Sequence, residues 1–550
     1  MSRFEAFGVL VALVLGTTAA FSAGPTDPRA AFEAVKRAVA SGATHRMVLS
    51  PEGQFVAVFN RDVEPWVRQK IDLPLLLRIR ARLAPHLVVK LTDRGFARAA
   101  AREVSGEKDE TNYDAVWVRD SVWIFYSFVD DPSRRQDARK LLLALWDYYA
   151  TDAQVARFEA VIDDRSSRLD AMAMPHIRFD ASSREPGDVM VGGRPETWNH
   201  RQMDAHGLFF TALGEAVERA VVGANDLTGP RFKLLSLYPR FVEAVEFTTY
   251  EDAGAWEELP RKNTSSIGLV TRSLQVWKGV LTGGTGAAAA SFDDAFRKRL
   301  RTIGAPAARA WSERSLDAMI SRGLRTVKRQ LAIGGESPDY APGDVRFRLA
   351  DAALLALLVP SPLAGLTEDE RRKALGVVET LRRPMGFLRY ENDSYQCGNY
   401  WIRQPDEDSG RRPTLTGDTS SREAFLWRLG QLTPGSEAQW FFDSLLALAR
   451  LGLARTTDDP RLGEQDVHAA AVHLKRALGQ LTGDPAVAAD GKSVRPLQPP
   501  ESINTVIIDG HRYHLPSPIT PLNWARAGLS MALGEYERYL KEPPAPGRGP

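Results

Sequence analysis

Five segments place aromatic side chains beside carboxylates or arginine: YDAVWVRDS (113–121), WNHRQMD (198–204), WEELPRKNTSS (256–266), RYENDSYQCGNYW (389–401), and the pair PPES (499–502) with PLNWA (521–525). Aromatic faces stack on the apolar faces of a pyranose, while Asp and Arg take its hydroxyls by charge-assisted hydrogen bonds. Cleavage of a glycosidic bond needs two separate carboxyl groups, one protonated as acid and one ionised as base or nucleophile. Taken singly, each segment also has a plain reading. An Arg–Asp pair is most often an ion pair, and adjacent Glu257 and Glu258 are most often a solvated helix start. The combination carries more than any one segment.

Other chemistries find less support. No segment has metal-ligand histidine spacing; His511 and His514 read as loop residues without further ligands nearby, so no metal and no cofactor is predicted. There is no G-x-S-x-G elbow. Cys397 is the one cysteine, which excludes an intrachain disulfide and multi-cysteine metal sites; it reads as a bland residue rather than a nucleophile.

The elements that must position these residues are mostly helical. LLLALWDYYATDAQVARFEAVI, MDAHGLFFTALGEAVERAV, RFKLLSLYPRFVEAVEF and FFDSLLALARLGLA carry apolar residues at i, i+3, i+4, i+7. Pro28–Val39 predicts a short helix, and RMVLSPEGQFVAVF a β-hairpin around Ser-Pro-Glu-Gly. Irregular stretches rich in Pro, Gly, Asp and Ser are expected at 182–197, 334–346, 404–422 and 484–520. The run TGGTGAAAA (282–290) follows no strand and lacks the phosphate-loop lysine, so it reads as a helix-to-helix linker. Paired helices with few strands point to an αα-hairpin toroid or a solenoid.

Composition bounds the partners. The 550 residues hold 71 Lys+Arg and 69 Asp+Glu, a balance that argues against a nucleic-acid binder working through a strong net positive field. Residues 1–23 have signal-peptide architecture: Arg3, an apolar run from Ala6 to Gly16, then small residues. The expected mature protein is periplasmic or secreted, with no stable membrane insertion after cleavage.

These residues, taken together, resemble glycoside hydrolase family 15, the glucoamylase, glucodextranase and trehalase-like family, and also the amino-terminal region of phosphorylase kinase α and β subunits. The matches follow the family's order. Tyr113, Trp117, Arg119 and Asp120 fit Y-x-x-x-W-x-R-D; Trp198, Gln202 and Asp204 fit W-x-x-x-Q-x-D; Trp256, Glu257 and Glu258 fit W-E-E. Arg389, Tyr390, Asp393, Tyr395 and Trp401 fit R-Y-x-x-D-x-Y…G-N-x-W, and Leu522 with Trp524 fits the closing L-x-W.

The resemblance implies an all-α (α/α)6 barrel over 70–542, preceded by an N-terminal segment (24–69) with the hairpin and followed by a disordered tail (543–550). It implies inverting, exo-acting hydrolysis releasing glucose from an α-glucoside or α-glucan. Glu257 would be the general acid and Glu501 the general base. Arg119 and Asp120 would hold the terminal sugar, and Arg389 and Glu258 would bind hydroxyls around the cleavage point. Tyr113 and Trp198 would line the pocket, and Tyr395 would stand near the base; the remaining matched residues are expected at the same site. Burial beside Trp256 and like-charge neighbours should raise the pKa of Glu257.

Two segments depart from the family pattern. Asn199, His200 and Arg201 stand where Gly-Arg-Pro is common, and Ser502 stands where Gln usually follows the base. Two other readings stay open. One is a sugar-binding or regulatory module of the same fold without turnover. The other is a toroidal polysaccharide lyase, which would need a uronic-acid substrate and a basic pocket.

Overall fold

The computed structural model describes residues 28–42, 45–100, 113–182, 185–191, 193–282, 286–402, 419–484 and 486–543. The predicted leader and residues 544–550 of the predicted tail lie outside the described residues.

Helix α1 (Pro28–Ala40) precedes the hairpin β1 (Arg46–Leu49) and β2 (Phe55–Val58), paired antiparallel as the sequence predicts. Then follow α2 (Glu64–Val67), α3 (Leu73–Leu83), β3 (Val116–Trp117), α4 (Val118–Val129), α5 (Arg135–Tyr149) and α6 (Asp152–Asp163). Short strands β4 (Arg178–Phe179), β5 (Met190–Val191) and β6 (Arg194–Pro195) lead to α7 (Met203–Glu218), α8 (Gly229–Ala244) and α9 (Thr264–Leu281). Next come α10 (Ala287–Leu300), α11 (Ala305–Ala310), α12 (Glu313–Ile333), a 3-10 helix (Ala352–Leu357) and α13 (Glu368–Glu379). The chain ends through β7 (Arg382–Arg383), β8 (Gly386–Phe387), α14 (Arg422–Leu429), β9 (Gln439–Trp440), α15 (Asp443–Thr456), α16 (Pro460–Gly479), β10 (Ala486–Val487), β11 (Ser493–Val494), β12 (Ser502–Ile508), β13 (His511–Pro516) and α17 (Asn523–Lys541).

Six of these elements close a ring. α4 packs on α7, α7 on α9, α9 on the 3-10 helix, that helix on α15, α15 on α17, and α17 back on α4. Outside them lie α5 on α4, α12 on α9, α13 on the 3-10 helix, α16 on α15 and α3 on α17, with α8 against α5 and α6. This double ring is the (α/α)6 barrel. The sequence shows why each helix takes its layer. α7 is buried on every side except at Glu218, as a helix enclosed by neighbours must be. α12 buries Leu316, Met319, Gly323, Val327 and Leu331, one stripe at three- and four-residue spacing, with Gln330 buried beside it, and exposes its opposite face. The inner helices approach closely at Gly207, where a β-carbon would stand 2.6 Å from the Val270 amide nitrogen.

The irregular expectation for 484–520 needs correction. It contains β12 and β13, joined at Asp509 and Gly510, both with left-handed backbone (φ 50° and 79°). That is the two-residue turn whose twist matches paired strands. His511 and His514 therefore lie on β13, not in a loop. The hairpin belongs to a five-stranded sheet ordered β13-β12-β9-β8-β7. Ser502 pairs with Trp440, and Trp440 with Phe387. This small sheet ties together three segments more than fifty residues apart in sequence, and each of them supplies a residue to the cleft described next.

A candidate active site at one mouth of the barrel

A cleft is lined by Tyr113, Trp117, Arg119, Asp120, Trp198, Trp256, Glu257, Arg389, Tyr395, Glu501 and Trp524 among the sequence-predicted residues. It forms where inner elements begin. Arg119 and Asp120 occupy the first turn of α4, Trp440 stands just before α15, and Leu522 and Trp524 open α17.

Glu257 follows the one-turn 3-10 helix Gly254–Trp256 with left-handed backbone, φ 59° and ψ 39°. A non-glycine residue there carries strain of about 1 kcal/mol or more, which the surrounding contacts must hold. Ala253 donates its N–H to the Arg201 carbonyl at 2.7 Å, and the Asp252 and Arg261 backbones bond each other. The side-chain Oε1 accepts from Trp117 Nε1 at 3.0 Å and from Arg119 at 3.3 Å. Burial raises the pKa of Glu257, while Arg119 and Arg178 oppose the rise.

Glu501 precedes β12 and is buried. Its Oε1 accepts from the Tyr113 hydroxyl at 2.8 Å and its Oε2 from Gln396 Nε2 at 2.5 Å. Burial pushes its pKa up to about 7 against the pull of those two donors. Asp120 is also raised to about 7, by burial first, with Arg119 opposing and Glu257 and Glu501 adding repulsion. Among the described residues no side chain donates to the Asp120 carboxylate, so it faces the cleft as an open acceptor.

Several predicted residues lie one layer back. Asp204 and Gln202 do not line the cleft; they accept from Arg119 at 2.6 and 2.7 Å and aim its guanidinium. Asp393 grips Arg389 through two bonds, 2.6 and 2.8 Å, leaving Nη1 without a bond among the described residues. Trp401 donates to Asn504 at 2.9 Å, away from the cleft lining.

Glu258 departs furthest from its expected place. Successive side chains of this tight turn point apart, so Glu257 enters the cleft and Glu258 is fully buried behind it. There it accepts from Tyr390 and Arg428 at 2.5 Å and from Arg389 and Arg348 at 3.2 Å. Although burial works against the charge, Arg428, Arg389 and Arg348 hold this carboxyl well below the usual glutamate range. Glu258→Ala would leave those guanidinium groups without their shared carboxylate. The expected result is a loss of about 3–5 kcal/mol in denaturant unfolding. Because the folded pKa is depressed, the Glu258 contribution is complete above pH 4.5 and fades on acidification.

Sequence reasoning missed Arg178, Arg428, Trp440, Ala99, Ala255 and Thr419, all of which line the cleft. Arg178 lies over the rings of Trp198 (4.1 Å) and Trp117 (4.8 Å), so one face of each expected stacking platform is already covered. No short motif surrounds these residues. The alternation in AQWFF was the one available hint for Trp440.

No protein-family model matches the chain. A 163-residue stretch, 29% of the chain, is 37% identical to "Uncharacterized lipoprotein YgeQ" of Escherichia coli (strain K12) and spans 61% of that protein. A 58-residue stretch is 41% identical to "Putative protein YgeP" of the same organism and spans 57% of it. The chain thus covers about six-tenths of the length of these curated relatives. Among solved structures it is similar to a glycosidase at 17% identity and a TM-score of 0.47, covering 84% of this chain and 96% of that one. It is also similar to the glucoamylase of Saccharomycopsis fibuligera at 13% identity and 0.46, covering 86% and 97%. A third similar structure is the Hormoconis resinae glucoamylase, at 11% identity and 0.45, covering 87% and 76%. Among the described residues no helix is long and apolar enough to cross a membrane.

Proposed function

We propose that the chain is an exported, inverting, exo-acting glycoside hydrolase that releases glucose from α-glucosides, with Glu257 as general acid and Glu501 as general base. The observation that carries this reading is that, of the three carboxyl groups lining one cleft, Glu257 and Glu501 sit in contrasting settings. Glu501 receives a donor on each oxygen, as suits a carboxylate. Glu257 receives both its donors on Oε1, leaving Oε2 able to carry a proton toward a glycosidic oxygen. Asp120 and the free edge of Arg389 supply an acceptor and a donor for sugar hydroxyls, and Trp256, Tyr395 and Trp440 supply flat apolar wall.

The lyase reading requires an uncompensated basic cleft. Four arginines do line it, but each is already bonded to a carboxylate: Arg119 to Asp204, Arg178 to Glu196, Arg389 to Asp393 and Arg428 to Glu258. That arrangement favours a neutral sugar.

The test is a panel of maltose, isomaltose, trehalose, dextran and starch with purified protein, reading glucose release and the first-formed anomer by NMR. β-Glucose appearing first from an α-glucoside is the expected result. α-Glucose first would overturn inversion, and no release from any member would favour the binding module.

A further inference from the structure

We propose that Trp401, Asn504 and Gln396 form a one-way hydrogen-bond relay that favours the ionised form of Glu501 a general base requires, with Gln396 as the positioning residue in contact with it. The inference rests on the reading of Glu501 as base. Its direction follows from which groups can only donate.

The indole Nε1–H of Trp401 has no acceptor capacity. It bonds Asn504 Oδ1 at 2.9 Å, which turns the Asn504 amide nitrogen toward Gln396. Asn504 Nδ2 then donates to Gln396 Oε1 at 3.0 Å, and Ser502 Oγ donates to the same oxygen at 2.8 Å. With its carbonyl held by two donors, Gln396 must present its –NH₂ on the other side. That nitrogen meets Glu501 Oε2 at 2.5 Å. An –NH₂ group cannot accept a proton from a carboxylic acid, so Glu501 Oε2 must be the acceptor. Every step is settled by the one before it, starting from an atom that titrates nowhere near neutral pH.

Gln396, Asn504 and Ser502 are all buried, so water does not scramble these orientations. Gln396 also has left-handed backbone, φ 60°, a conformation a glutamine adopts only when its surroundings fix it. The family pattern places a glutamine directly after the base; here Ser502 stands there, and the amide reaches Glu501 from a different segment of the chain.

The other groups facing Glu501 are Tyr113 ahead of β3, Tyr395 and Arg389 after β8, Asp120 in α4, and Ser517 after β13. Arg389 and the hydroxyl donors favour the carboxylate, and Asp120 disfavours it. Removing the Gln396 amide takes away its charge-assisted bond to Glu501 and its contact with the Tyr395 hydroxyl, and leaves Tyr113, Arg389, Asp120 and Ser517 in place.

The experiment is the pH dependence of kcat/KM for wild type and Gln396→Met on the best substrate of the panel. The acidic limb should move up by about one pH unit, with KM little changed. Trp401→Phe, which removes the indole N–H together with part of the ring and does not touch Glu501, should move the limb in the same direction by less. It also serves if Gln396→Met does not fold. Where Glu501→Gln abolishes hydrolysis, an acidic limb that stays in place in a folded Gln396→Met variant overturns the relay. A parallel ¹³C NMR titration of the Glu501 carboxyl, assigned by its disappearance in Glu501→Gln, reads the same shift without turnover. If hydrolysis survives Glu501→Gln while the NMR shift appears, the base assignment fails and the relay stands. If the NMR shift is absent, the relay fails whatever the activity.

Discussion

Glu257→Gln is expected to lower hydrolysis of a natural α-glucoside by about 10²–10⁴-fold while the protein still folds. The fold should tolerate it because both donors to this side chain, Trp117 Nε1 and Arg119, reach the same oxygen. A glutamine keeps its carbonyl there and turns its –NH₂ into the cleft, where the acid proton would have been. The loss should depend on the leaving group. A glucosyl fluoride departs without protonation, so the variant should recover most of its rate on that substrate. Equal loss on both substrates would remove Glu257 from the acid role, and retained activity on the natural substrate would remove it from the chemistry.

Glu501→Gln should be at least as damaging, about 10²–10⁴-fold, and should not be rescued by the fluoride, since water must still be activated. Here too the local hydrogen bonds permit the change. The glutamine carbonyl can face Gln396, and its –NH₂ can face the Tyr113 oxygen, whose own proton can turn to Tyr395, 3.3 Å away. As a base, Glu501 must be ionised, and burial pushes its pKa up to about 7. The sign follows directly: kcat/KM, which reports the free enzyme, should fall as pH drops below about 7. The alkaline limb belongs to the acid partner, whose raised pKa keeps it protonated further up the scale than an ordinary glutamate. A flat profile through this range, or a limb unchanged by the substitution, would contradict the assignment.

The sequence made the inner helices and their N-terminal motifs plain for a physical reason. Enclosed helices such as α7 need long apolar stretches, and the residues that open them sit in the same few positions as the motif letters. It could not separate a side chain that touches the cleft from one that aims its neighbour. Asp204, Gln202, Asp393 and Glu258 carry as strong a motif signal as Asp120 and Glu257, yet they work through arginines. That difference depends on which way adjacent side chains point in a tight turn. Arg428 left no signal because its partner lies far along the chain: it meets Glu258 across 170 residues. The β12–β13 hairpin did leave a signal, β-branched residues around Asp509-Gly510. A segment otherwise rich in proline and glycine obscured it.

The ring closes between α4 and α17, and that closure sets an order on how the protein comes into being. Tyr113 and Glu501, bonded in the cleft, are separated by 388 residues. Ala99 is held to a distant helix as well, since the Asn523 amide donates to its carbonyl at 2.8 Å. Contacts of such separation form only after the entropy of closing a very long loop has been met. During synthesis, helices of the first half can pair locally, but the wall that carries Glu501 and Trp524 is still missing. A chain that stops short of residue 501 would hold Glu257 without Glu501 and should release no glucose. Catalytic competence should arrive as a single late event, when the last helix docks against the first of the inner ring.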